Sequence, residues 1–272
     1  MTISIRAIKI AVIALSVIAL AGLSFTYGGT SSAAVLKAGK AGIPKRKSSY
    51  QAGYYAAKRQ KAFTHITADF VVPKLSCSSE YAGYQVDHYV ELLETYDGDI
   101  NSLYQAGINE FCNDKGEAGY NDWWSGSEGI NSQGSPEHGV EPGDHLTAAV
   151  TSEKKNRMYF EVVDLTHSKD SFRINAPGLL SVPPILNGAA VLSESYGIDL
   201  YGPPDFDRVD FTHIEISDTA GSGDFSSSGW RTYEYVLYGY DIASEPQINV
   251  EPTALADEGK AFDNNWLRYS YH

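Results

Sequence analysis

The sequence predicts an all-β protein, an antiparallel two-sheet β-sandwich of the jelly-roll or concanavalin-like kind. Three observations carry that expectation. The 272 residues include 19 Tyr and 25 Gly but only 2 Met, a composition that suits pleated surfaces and tight turns more than helices. Apolar and polar residues alternate at period two in segment after segment, with no helical periodicity. About a dozen such segments are separated by Gly- and Pro-containing turns, the layout of a sandwich. A hydrophobic content of 43% is enough for one large core or two small ones.

From the N-terminus, Arg6 and Lys9 precede an apolar stretch from Ile10 to Phe25, and Ser32-Ala33-Ala34 offers a cleavage point after Ala34. This is the layout of a secretory signal peptide, and the run is shorter than the roughly 20 residues of a spanning helix. Residues 1–34 are therefore expected to be removed on export, leaving a secreted, extracellular protein that keeps no membrane association. Val35–Lys47 is basic and rich in Ala and Gly and reads as a flexible lead-in. Ser48–His272 shows no internal linker and reads as one domain.

Within it, Ser48–Ala57 and Ala62–Pro73 come first. Ile66, Ala68, Phe70 and Val72 alternate with Thr67, Asp69 and Val71, as in a strand with one buried face, and Pro73 ends it. Gly83–Glu94 is the next strand, followed by the Asp97-Gly98 turn signal. Asn101–Ser125 reads as a hairpin: Leu103–Phe111 and Tyr120–Trp124 flank Asn113-Asp114-Lys115-Gly116. Its alternation sets Leu103, Gln105 and Gly107 on one face and Tyr104, Ala106 and Ile108 on the other. Gly126–Gly139 reads as a polar loop. His145–Thr151 and Arg157–Leu165 read as paired strands, and Gly188–Tyr196, Phe206–Ser217, Tyr233–Tyr240 and Ala261–Tyr271 complete the set.

A formal net charge of −13 argues against nucleic acid or an anionic membrane as a partner. Cys77 and Cys112 are the only cysteines, and export makes a disulfide between them the expected state. Glu137-His138 and Asp144-His145 read as turn-flanking polar clusters, since no third metal ligand falls at a recognisable spacing. No GxSxG elbow, HExxH pair or Gly-rich phosphate loop occurs. No metal or cofactor is expected.

Taken in order, several segments resemble the glutamic peptidases of the G1 type, the eqolisins, which are secreted acid endopeptidases with a β-sandwich fold. SSYQAGYYA at Ser48–Ala56 resembles the family's opening Ser-Asn-Trp-Ala-Gly-Tyr. FTHITADFVVP at Phe63–Pro73 resembles its Phe-x-x-Val-x-Gly-x-Phe/Trp-x-Val-Pro strand, and YQAGINEFC at Tyr104–Cys112 the strand that carries a catalytic Gln. YNDWW at Tyr120–Trp124 is similar to Tyr-x-Ala-Trp-Tyr-Glu. Val140–Val150, Met158–Phe172, Pro204–Ile214 and Glu251–Trp266 follow in family order.

The resemblance implies a mechanism in which a Glu takes a proton from water while a Gln orients that water and donates to the oxyanion. The Gln role falls to Gln105. In the family strand Ala-Glu-Trp-Ile-x-Glu, Ala190 stands where the base should be, and a four-residue shift would give the role to Glu194 instead. Leu93, Asn121 and Ser125 fall at three other acidic positions of the family cleft, with Tyr89 at its Trp. Two functions stay open on this reading. One is an acid endopeptidase working through Gln105 and Glu194. The other is a catalytically degenerate member that binds peptides or glycans through Tyr89, Tyr104, Trp123 and Trp124. A purely structural extracellular role is the bland alternative.

Overall fold

The computed structural model describes residues 42–267, apart from 59–62, 97–98, 127–129, 134–138, 154–156, 169–170, 178–184, 197–202 and 241–245. The expected signal peptide and the Asp97-Gly98 turn lie outside the described residues. In chain order the strands are β1 (Lys45–Ser48), β2 (Gln51–Ala57), β3 (Phe63–Val71), β4 (Gln85–Tyr96), β5 (Asp99–Cys112), β6 (Ala118–Gly126), β7 (Ile130–Gln133) and β8 (His145–Glu153). They continue as β9 (Arg157–Asp164), β10 (Phe172–Pro177), β11 (Gly188–Tyr196), β12 (Arg208–Asp218), β13 (Gly221–Gly223), β14 (Arg231–Tyr240), β15 (Pro246–Pro252) and β16 (Phe262–Trp266). The helical pieces described in full are two short 3₁₀ turns, Ser79–Tyr81 and Asp257–Gly259. No described helix is long and apolar enough to cross a membrane.

Fourteen of the strands form one hydrogen-bonded path, β10-β9-β8-β3-β12-β16-β15-β14-β2-β11-β4-β5-β6-β7, with β1 paired to β14 and β13 to β12 beside it. The path curls on itself, so β4 packs on β3 and β8, and β5 packs on β8 and β9. The sandwich expected from the sequence is thus a single antiparallel sheet folded into two layers, with β16 and β15 carrying it from one to the other. Aromatic contacts lock the layers together: Trp124 meets Phe160 at 4.8 Å and Tyr54 meets Phe262 at 4.8 Å between ring centroids. Such pairs add about 0.5–1.5 kcal/mol beyond the area they bury.

The period-two reading places these rings correctly. Tyr104, Ala106 and Ile108 are fully buried in the main core. The predicted hairpin is β5 paired with β6, from Gln105 opposite Ser125 to Cys112 opposite Ala118. Gly116 sits in its turn at φ +74°, where a side chain would be strained. Gly107 is required for another reason: a Cβ there would lie 2.1 Å from the His88 carbonyl oxygen on β4.

The lead-in differs from expectation. Lys45–Ser48 pairs in parallel with β14. Lys45 Nζ reaches Glu234 at 2.7 Å and Glu251 at 3.2 Å, and the Arg46 guanidinium lies 4.0 Å from the centre of the Tyr233 ring. Basic, Ala- and Gly-rich composition suggested a flexible lead-in, but at its described end the charges meet acids and aromatic faces.

Candidate functional site

Each strand of the second layer has a core face and an outer face. On β4, Val86, Val90 and Leu92 enter the main core, while Tyr89 belongs to a separate small cluster with Ala190 and Leu192, flanked by Tyr55 and Trp123. Strand register arranges that outer face into three rungs. The first runs Ser125–Gln105–Glu91–Ala190–Tyr55. The second is Trp123–Gly107–Tyr89–Leu192–Gly53. The third is Asn121–Asn109–Asp87–Glu194–Gln51.

On the first rung the Gln105 Nε2 donates to Glu91 Oε2 at 2.7 Å. Both residues are buried, at 6% and 4% exposure, so water competes little for that bond. Burial pushes the Glu91 carboxyl up to about 8; the negative charge of Glu194 adds to this, and the Gln105 hydrogen bond partly offsets it. The pair therefore sets a neutral amide donor against a carboxyl that changes charge near neutral pH.

On the third rung, Asp87 Oδ1 accepts from Asn109 Nδ2 at 2.5 Å. Burial, assisted by the Glu194 charge, raises the Asp87 carboxyl well above its ordinary value. Glu194 accepts from the Tyr89 hydroxyl and, at 3.2 Å, from Gln51 Nε2. Gln51 Nε2 also lies 3.2 Å from the Tyr89 hydroxyl.

Of the residues the sequence singled out, Gln105, Glu194, Tyr89 and Trp123 share the outer face. Tyr89 and Trp123 meet edge to face at 5.7 Å. Glu194 stands opposite Asp87, four residues along β11 from the Gln105 rung, roughly 13 Å of strand. Tyr104 and Trp124 point the other way, into the main core, with Phe160 as neighbour of both. Choosing aromatics by type selected them; the two-residue period sends them inward. Cys77 and Cys112 are joined by a disulfide.

Glu91 is the site residue the sequence reading missed. Aligned on Tyr89, the family stretch Trp-Val-Gly-x-Asp-Gly puts Leu93 at its Asp and Glu91 at its first Gly. The signal was an acid two residues from the aligned position, on the same face. Elsewhere, ligand atoms of Asp144, Asp164 and His167 lie within 4.8 Å of one another. Asp144 Oδ2 accepts from the Glu141 N–H, and Asp164 Oδ1 from the N–H groups of Thr166 and His167, so both acids close turns. His167, rather than the adjacent His145, is the imidazole that joins Asp144, at 3.1 Å.

The model of the peptidase A4 family matches residues 49–244. The chain belongs to the peptidase A4 family. Several solved structures with a similar fold are glutamic peptidases. A scytalido-glutamic peptidase, solved with a peptide-based transition-state analogue, superposes with a TM-score of 0.62 at 16% identity, covering 80% of this chain and 98% of that one. SCP-B, an eqolisin-family peptidase in complex with the tripeptide Ala-Ile-His, gives a TM-score of 0.58 at 16% identity, with 80% and 98% coverage. Aspergilloglutamic peptidase from Aspergillus niger gives 0.51 at 16% identity, with 68% and 99% coverage. No curated protein matches by sequence. At these identities the structural likeness speaks for the fold, while the family match shows the peptidase A4 lineage.

Proposed function

We propose that the protein is a secreted endopeptidase that hydrolyses peptide bonds at the Gln105 site. The observation that carries this reading is the carboxylate–amide contact of 2.7 Å between Glu91 and Gln105, buried on the outer face of the sheet. The buried acid stands against an amide able to hold an oxyanion, the pairing that hydrolysis needs. An uncharged amide suits that role, because it donates to a developing oxyanion without competing for the proton that a base must take. Polypeptide is the expected substrate, by kinship with relatives captured with a tripeptide or a peptide-based analogue. Tyr89 and Trp123 offer it aromatic contact beside the pair.

The test is digestion of a denatured protein by the exported enzyme from pH 2 to 10, read by mass spectrometry, for the wild type and Gln105→Ala. Loss of an oxyanion donor costs roughly 10²–10³ in rate, and that is the expected fall for Gln105→Ala. A wild type that cleaves nothing, or cleavage indifferent to Gln105→Ala, ends this reading. Peptide binding without turnover would support the binding-groove alternative, which Ala190 favours by its lack of a carboxyl.

A further inference from the structure

We infer that Glu91 is the general base of this chain, so that the catalytic carboxylate stands on β4 rather than on β11. The inference rests on the peptidase reading of the Gln105 site and assigns its missing partner. Gln105, Glu91 and Ala190 are successive members of one rung. Neighbouring strands lie about 4.8 Å apart, so a side chain on β11 sits two strands, roughly 10 Å, from Gln105. A carboxyl rooted at position 190 would have to reach across position 91 to meet the amide. Here position 91 holds the carboxyl and position 190 holds a methyl, fully buried against Tyr89 and Leu192. Positions 91 and 190 are cross-strand neighbours, and the carboxyl that meets the Gln105 amide in this chain is the one rooted on β4.

Glu194 is placed differently. Its carboxylate is engaged by Tyr89 and Gln51, and it stands two rungs away from Gln105. It acts on Glu91 through charge, not through the substrate.

The step balances without a further reactant. Glu91 carboxylate takes a proton from water as the water oxygen bonds the carbonyl carbon. The carbonyl electron pair moves to its oxygen, where the Gln105 N–H donates to it. On collapse the C–N bond breaks, and the proton held by Glu91 passes to the departing amine. One water is consumed, and a carboxylic acid and an amine result.

The titratable groups facing Glu91 are Glu194 from β11 and Tyr55 from β2, besides the neutral Gln105 amide from β5. A base must be ionised to act, so kcat/KM should rise with pH on a limb near 8, unlike the acid profile the family resemblance suggests. Glu194→Gln removes a negative neighbour and should move that limb to lower pH while turnover persists.

The experiment measures pH–rate profiles for wild type, Glu91→Gln, Glu194→Gln and the exchange Glu91→Gly with Ala190→Glu, each checked for fold by circular dichroism. Glu91→Gln is nearly isosteric and should lose about 10²–10⁴ in rate. The exchange variant should regain activity, with its limb displaced from the wild-type position. If wild type works, Gln105→Ala is dead and Glu91→Gln still works, the base inference fails while the peptidase reading stands. Loss of turnover in Glu194→Gln alone would give the role to Glu194 and overturn the inference. A silent wild type beside an active exchange variant would show a competent scaffold in which Glu91 is not the base. Silence from both fells the peptidase reading, and the inference with it.

Discussion

Glu91 and Glu110 lie on adjacent strands, both buried, and face opposite sides of the same sheet. Glu110 looks into the core, where neither carboxyl oxygen has a hydrogen-bond partner among the described residues. Burial, with Asp87 as a negative neighbour, raises it well above the ordinary range. Glu91 looks outward and has the Gln105 amide. The same split holds for the neighbouring polar groups. On the core face, burial lowers His88 to about 3, and it shares a 2.8 Å hydrogen bond with the Ser193 hydroxyl, which also accepts from Asn264 Nδ2 at 2.8 Å. Burial disfavours the charged form on either face. What differs outside is a donor that favours the charged form, which keeps Glu91 within reach of ionisation.

The contrast can be broken outright at Gly107, on the outer face between the Gln105 and Asn109 rungs. A Cβ there would meet the His88 carbonyl at 2.1 Å and Tyr89 Cβ at 2.6 Å. Gly107→Val should therefore exceed the ~1–3 kcal/mol of ordinary overpacking, because backbone must move. Soluble yield and thermal melting would show it; a variant that melts like wild type would mean that β4 and β5 are not in this register.

The next effect separates the faces by pH. Glu91 has a folded pKa raised from 4.5 to about 8, so its stabilising contribution is whole below about 4.5 and is lost as pH rises through 8. His88 has a folded pKa lowered from 6.5 to about 3, so its contribution is present above about 6.5 and is lost as pH falls toward 3. Stability should peak between these limits. Glu91→Gln should remove its own share of the alkaline loss, on the order of 5 kcal/mol, leaving the share of Asp87 and Glu110, which burial also raises, and leaving the acid limb alone. Denaturant melts at stepped pH check this, and an unchanged alkaline limb would contradict the burial of the carboxyl.

The smallest expected change sharpens the comparison from the core side. Ser193→Ala removes the hydroxyl shared by His88 and Asn264 and should cost about 1–3 kcal/mol. Because Ser193 faces away from Glu91, the midpoint of the pH–rate limb should stay in place. A shifted limb would show that the faces are coupled through β11.

Alternation made much of the fold legible. Gly188–Tyr196 has the bounds the sequence suggested, and the β5–β6 hairpin places Gln105 and Tyr104 on the faces that counting assigns them. Phe172–Pro177 and Pro246–Pro252 escaped notice because both are short and bounded by Pro, which usually marks a strand's end. Ile130–Gln133 lay inside a stretch read as polar loop. The site was less readable for a different reason. Glu91 and Gln105 become neighbours only through the pairing of β4 with β5, and no single segment encodes that register. Motif matching looked for the acid on β11, where the chain has Ala190.

The disulfide also bears on how this pair is assembled. Cys77 and Cys112 are 35 residues apart, and the ring they close contains all of β4 and β5, hence both Glu91 and Gln105, while β11 lies outside it. Closing a loop of that size restricts the unfolded chain by roughly 3–4 kcal/mol. In the oxidised chain each of the two strands is thus presented to the other at a raised effective concentration, before the distant strands arrive. A carboxyl rooted on β4 shares that tether with its amide; one rooted on β11 would have to find it across an open chain.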